Sequence, residues 1–241
     1  MKEIVNYNLG ALYNDFFRRN LKSFMSHSLL GHAITNPYFL KVDDTYDECL
    51  LKGMFFGKET NCWGTEIPDE KLGPETLMEL FDSFVNKGWG DDQLFWQYVS
   101  ALREWSRDTM EQAICFIPNN ISKVGNQGIG TERDVFDYFH LQSHLILDEL
   151  SIIQPDFLIF AFGDKEYSYY IEQAIGPFDV IPTELDRVNY IRFHHSEIPS
   201  LQIDHPRYLN SSSMWDDTLA FIKEWLMKQL KERYGSANNK R

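Results

Sequence analysis

Hydrophobic and polar positions repeat along this chain with two periods. Residues 12–26 place Leu12, Tyr13, Phe16, Phe17, Leu21, Phe24 and Met25 at helical spacing, with Arg18, Arg19 and Lys22 on a solvated opposite face. Residues 27–48 lack a period and hold the Asn36-Pro37 turn signal, which predicts a loop over a sheet edge. A short apolar strand is expected at about 50–56, followed by a polar loop to about 73. Pro74-Glu75 opens a helix carrying Leu77, Leu80, Phe81 and Phe84, and Gly88-Trp89-Gly90 closes it. A second helix over about 91–107 has Leu94, Phe95, Tyr98, Leu102 and Trp105 on one face, with Asp91 or Asp92 as its N-cap.

The second strand is predicted over 113–117, ending at Pro118-Asn119-Asn120. A loop over 121–131 follows, with Gly125, Gly128 and Gly130, and then one long helix over about 132–150. A third strand at 157–162 ends at Gly163-Asp164, and a helix over 165–175 stops at Gly176-Pro177. Residues 180–182, 190–194 and 201–204 are short strand candidates, the last ending at His205-Pro206. The final helix, about 213–232, turns Trp215, Leu219, Ile222, Trp225, Leu226 and Leu230 inward.

Apolar strands separated by helices predict an α/β fold with a parallel or mostly parallel sheet covered on both faces. No linker or internal repeat interrupts the 241 residues, so one domain is expected, with residues 1–48 as a helical N-terminal extension and 233–241 as a frayed tail.

Composition narrows the function classes. Asp and Glu number 36 against 23 Lys and Arg, a formal charge of −13, which argues against strong non-specific binding to duplex DNA. Cys49, Cys62 and Cys115 form no CxxC pair, which predicts neither a disulfide framework nor a zinc site and suggests a reducing compartment. The first residues lack an apolar signal core, and the longest clean apolar run, 157–162, is too short to span a bilayer. A cytoplasmic protein with no membrane association is the expectation. No GxSxG elbow is present, which counts against an α/β esterase.

The candidate chemistry gathers at strand ends, where open α/β sheets bind ligands. The stretch 51–64 changes from apolar to Gly57-Lys58-Glu59-Thr60-Asn61-Cys62-Trp63-Gly64. The other two polar ends are Asn119-Asn120 and His205-Pro206-Arg207. In order and spacing these three clusters resemble the uracil-DNA glycosylase superfamily. Its first motif is a strand followed by glycine, a variable residue and an acid or amide; a central strand end supplies a polar group; the last motif is histidine-proline and a loop. The matches are Gly57-Lys58-Glu59, Asn120 or its neighbour Asn119, and His205-Pro206. The chain departs from the best-known members at Thr60 (proline there), at Asn61 (a tyrosine in some) and at Arg207, where the loop usually continues with serine.

The resemblance implies a three-layer α/β/α sandwich around a central, mostly parallel four-stranded sheet. It implies hydrolysis of a base–sugar N-glycosidic bond in DNA or a small nucleoside. Glu59 would stabilise the sugar cation and orient water, and His205 would donate to the base oxygen. Asn120 or Asn119 would read the edge of the base, with Asn61 lining the pocket and Trp63 or Phe56 stacking on the ring. Gly57, Lys58, Thr60, Lys123, Pro206 and Arg207 would form the loops and meet phosphate. No cofactor or metal is required; His194-His195 are adjacent on a strand candidate and so point to opposite faces. The alternative is a catalytically silent or divergent domain of the same fold that binds a nucleotide-like ligand or a protein partner.

Overall fold

The computed structural model describes residues 1–25, 28–59, 63, 72–87, 93–110, 113–125, 132–163 and 165–234. In chain order the elements are α1 (Lys2–Met25), β1 (Ser28–Leu29), β2 (His32–Ala33), a 3-10 turn (Asp44–Asp47), β3 (Leu51–Glu59), α2 (Pro74–Lys87), α3 (Leu94–Met110) and β4 (Ile114–Ser122). They continue with α4 (Arg133–Gln142), α5 (Leu145–Ile153), β5 (Phe157–Ala161), α6 (Lys165–Ala174), β6 (Phe178–Pro182), β7 (Val188–Phe193), β8 (Ser200–Ile203), α7 (Pro206–Ser211) and α8 (Trp215–Tyr234). The fold is mixed α/β, with eight α-helices among the described residues and a central six-stranded, mostly parallel sheet.

The sheet order is β4-β3-β5-β8-β7-β6. β4, β3, β5 and β8 run parallel, while β7 and β6 add as an antiparallel hairpin on the free edge of β8. The sheet therefore has six strands, not the four that the resemblance implied. The extra pair are the short segments 180–182 and 190–194 seen in sequence, lengthened because β8 offers an unpaired edge that β7 satisfies.

Strand alternation divides the core. Met54, Phe56, Ile117, Leu158 and Phe160 enter one cluster with side chains of α1, α2, α4, α5 and α6. Phe55, Phe116, Phe157, Ile159 and Leu201 enter another with α3, Leu209 of α7 and α8. Helix α1 is longer than its periodicity suggested because Val5 and Leu9, one turn apart, are also buried. It is part of the core: Tyr13 stacks on Phe39 at 4.2 Å.

The expected long helix over 132–150 is two, with extended backbone at Ser143 between them. At the other end, the tail expected to fray from 233 begins inside α8, where Arg233 pairs with Asp156 and the Tyr234 hydroxyl donates to the Leu50 carbonyl.

β4 lies at an edge of the sheet, and Pro118 within it lacks an N–H to expose there. The loop predicted over a sheet edge does cover this strand's end: Tyr38 N–H donates to the Lys123 carbonyl and Thr35 N–H to that of Gly125. A disulfide joins Cys49 to Cys115, so the expectation of no disulfide is overturned. The two cysteines are 66 residues apart in sequence, but Cys115 sits in β4 beside β3, and Cys49 lies two residues before the start of β3. Cysteine usage therefore gives no argument for a reducing compartment. No described helix is long and apolar enough to cross a membrane.

Candidate functional site at the carboxyl edge of the sheet

From β3 the chain crosses to β4 on one side; from β5 it continues to β8 on the other. Neighbouring strands whose connections leave in opposite directions open a crevice beyond their carboxyl ends. That crevice is bordered by Gly57-Lys58-Glu59 at the end of β3 and by Phe162-Gly163 after β5.

Gly57 lies opposite Asn120 of β4 in the parallel register, and Phe56 lies opposite Asn119. The two asparagines face opposite ways, as strand neighbours must. Asn119 is fully buried and belongs to a closed network. Its Nδ2 donates to Glu149 Oε2 at 2.8 Å, and its Oδ1 accepts from Lys123 Nζ at 2.6 Å and from the Asn120 N–H at 2.8 Å. Glu149 Oε1 accepts from Tyr13 OH at 2.6 Å and pairs with Lys123 Nζ at 2.7 Å. Burial pushes the Lys123 amine down, against the pull of Glu149, and pushes the Tyr13 phenol up. Asn119 and Lys123, expected to meet a base and a phosphate, are instead held inside the fold, because a buried cation and carboxylate require each other and every remaining lone pair.

Asn120 behaves differently. It is only 8% exposed, yet its amide makes no hydrogen bond among the described residues. The amide sits against Gly57, where an added Cβ would lie 2.7 Å from Asn120 Oδ1 and 3.0 Å from the Phe95 ring. Glycine at this position is what allows the amide and the ring to close over the strand. Phe95, in the first turn of α3, packs edge-on against Phe55 at 5.5 Å and lies 6.4 Å from the His205 ring, their planes 25° apart.

His205 follows β8 and caps α7. Its Nδ1 accepts from the Arg207 N–H at 3.2 Å, and Pro206, buried, occupies the first helical position. The region expected as a histidine-proline loop is thus a short helix. With Nδ1 accepting, the neutral ring carries its proton on Nε2. Burial, with the positive charges of Lys58 and Arg207, depresses the His205 pKa to about 4, so the ring is neutral at pH 7. Lys58 extends its ammonium over the Tyr167 ring of α6, 4.2 Å from the centroid. Between β5 and β8, the Asp204 side chain fills the space beside Gly163 and pairs with Arg187 at 2.6 Å.

Gly57, Asn120 and His205 are therefore brought to one edge, with Lys58 and Arg207 bearing on the histidine electrostatically. Glu59 ends β3 opposite Ser122. Thr60, Asn61 and Cys62 lie outside the described residues, as do Gly128 and Gly130. Neither proposed stacking ring is at the crevice. Phe56 is fully buried and stacks on Phe160 at 5.0 Å. Trp63 is 7% exposed between Tyr38 and Phe84, and its indole Nε1 has no partner among the described residues.

The aromatic ring that does lie there, Phe95, was read from sequence as part of the inner face of α3. The signal that sets it apart is position: it falls in the first turn of the helix, a few residues after the Gly88-Trp89-Gly90 sequence. His194 approaches Asp179 at 3.3 Å, and no group of three or more metal-ligating side chains occurs among the described residues. Compared with known proteins, the chain matches no family model and no curated protein.

Proposed function

We propose that this edge binds a nucleobase and that the protein is a uracil-DNA glycosylase-like hydrolase of N-glycosidic bonds. The observation that carries the reading is the Asn120 amide, held beside Gly57 and Phe95 at the strand end and hydrogen-bonded to nothing among the described residues. Neither amide atom is among the sealed, unpartnered side-chain atoms of the described residues, so the group is largely buried but not shut off from a ligand, and a base edge presenting one donor and one acceptor would pair with both of its atoms. The two core clusters on alternate strand residues support a three-layer α/β/α arrangement of the kind the resemblance implies.

In this reading Phe95 takes the face of the base and Asn120 its edge. As the glycosidic bond breaks, its electron pair passes to the base, and the neutral His205 donates from Nε2 to the oxygen that gathers the charge. Glu59 takes the proton from water as the water oxygen bonds to the sugar carbon. Lys58 and Arg207, which already bear on His205, supply a local positive field in an acidic protein and suit a ligand that carries phosphate. With Lys123 withdrawn into the core, that local pair is what remains of the expected phosphate contacts. This favours a single nucleotide or short strand over a long duplex.

The test is base release from oligonucleotides containing uracil, hypoxanthine or xanthine, and from the free nucleosides, at low salt. Release by wild type that Glu59→Gln and Asn120→Ala both abolish supports the reading. Equal inactivity of all three proteins on every substrate, with no nucleobase binding by calorimetry, overturns it. Binding without turnover would select the silent member of the fold.

A further inference from the structure

A second cleft, sharing no lining residue with the carboxyl edge, lies between residues 41–46, α2, α3 and the first half of edge strand β4, with the Cys115 end of the disulfide in its wall. Its volume is about 130 Å³. That approaches the roughly 150 Å³ cavity that accepts a benzene ring. Phe81, Val85, Ile117 and Pro118 form its apolar side.

Its cations are not equivalent. Lys41 is held by Glu79 at 2.7 Å and Asp82 at 3.5 Å, and Arg107 by Asp108 at 2.9 Å. Arg103 has no carboxylate within ion-pair distance among the described residues. Its Nε and Nη2 both donate to the Phe116 carbonyl, at 3.2 and 2.6 Å, leaving the Nη1 side of the fork without an acceptor among the described residues. Burial lowers its affinity for the proton, with Asp43 opposing. Asp43 itself is engaged in capping the 3-10 turn, accepting from the Thr45 N–H and hydroxyl at 3.0 and 2.7 Å.

A partly buried guanidinium with an unused face, opening on a cleft that is apolar on one side, is matched by an oxyanion that brings one negative charge and a compact apolar body. We propose that this cleft binds a small monocarboxylate, its carboxyl group on the free face of Arg103 and its apolar body against Phe81 and Val85. The nearby carboxylates of Asp43 and Asp82 make a phosphate dianion the poorer match. Nothing in this site depends on the chemistry at the carboxyl edge.

The experiment follows the Arg Nε–H resonances of the full chain while sodium benzoate, sodium acetate or sodium phosphate is added at constant ionic strength. One Nε–H resonance, absent from Arg103→Lys, is expected to move saturably with benzoate, less with acetate and least with phosphate. Arg103→Lys, which keeps the charge but loses the fork, weakens benzoate binding by roughly tenfold. Val85→Phe fills the cleft while keeping the Arg103 side chain itself and abolishes binding, which keeps the test valid if Arg103 variants fail to fold. The proposal is overturned by an adventitious response only: no saturable shift, a shift unchanged in Val85→Phe, or equal shifts at all arginines.

Discussion

Gly57 and Asn120 face each other across parallel strands so closely that the asparagine Oδ1 stands 2.7 Å from where any side chain on residue 57 would begin. The obstruction is the end of a side chain, not backbone, so the fold has a way to yield while the site does not. Gly57→Ala is expected to keep the wild-type thermal transition to within about 1 kcal/mol, since the amide swings aside, and to lose nucleobase binding and base release. A large loss of stability with binding intact would show that the contact serves the fold instead.

The neighbouring position should give the opposite result. Removing Glu149 leaves the Lys123 ammonium buried without its partner, and Glu149→Leu is expected to cost about 3–5 kcal/mol in urea denaturation. Lys123→Met should cost a comparable amount alone, and the double variant should recover much of the loss. Additive losses would mean that the pair does not interact as its 2.7 Å separation requires.

Acid should act through His205. Its pKa falls from 6.5 to about 4 on folding, so between those values the unfolded chain holds a proton that the folded one does not. Stability from this group is therefore complete above pH 6.5 and falls as pH drops toward 4. His205→Gln is expected to flatten the stability curve across that window. Nitrogen-detected NMR should show the proton on Nε2 at neutral pH, and a ring titrating near 6.5 would contradict the assigned burial.

The disulfide closes a loop of 66 residues. A covalent link of that span restricts the unfolded chain, and reduction should lower stability by about 2–4 kcal/mol. Urea transitions with and without a phosphine reductant measure this, and peptide mapping should recover Cys49 linked to Cys115. An unchanged midpoint after complete reduction would be inconsistent with the link as placed.

Much of the fold was legible. Each strand of the parallel sheet is legible in its apolar run, and α1, α2, α3 and α8 in their periods, because burial on one face is a local signature that survives in one dimension, whereas the break that divides 132–150 into two helices is not. The misplacements arose where a distant partner decided. The segments 180–182 and 190–194 are weak strands alone and became β6 and β7 only because β8 had an open edge. Cys49 and Cys115 carry no spacing signal, since their meeting is set by adjacency of β3 and β4.

By itself the sequence determined which side chains stand at strand ends: a glycine and an acid after one strand, paired amides on the next, a histidine before proline after the last. It also determined the excess of negative charge. Only the tertiary structure decided which of them are free to act. Asn119 and Asn120 are the same residue type, one position apart, yet alternation sends one into a sealed network with Lys123 and Glu149 and leaves the other unpaired beside Phe95. A strand end specifies that a polar group is there; the neighbours that pair it, desolvate it or leave it open include side chains of helices distant in sequence, such as Glu149, 30 residues from Asn119.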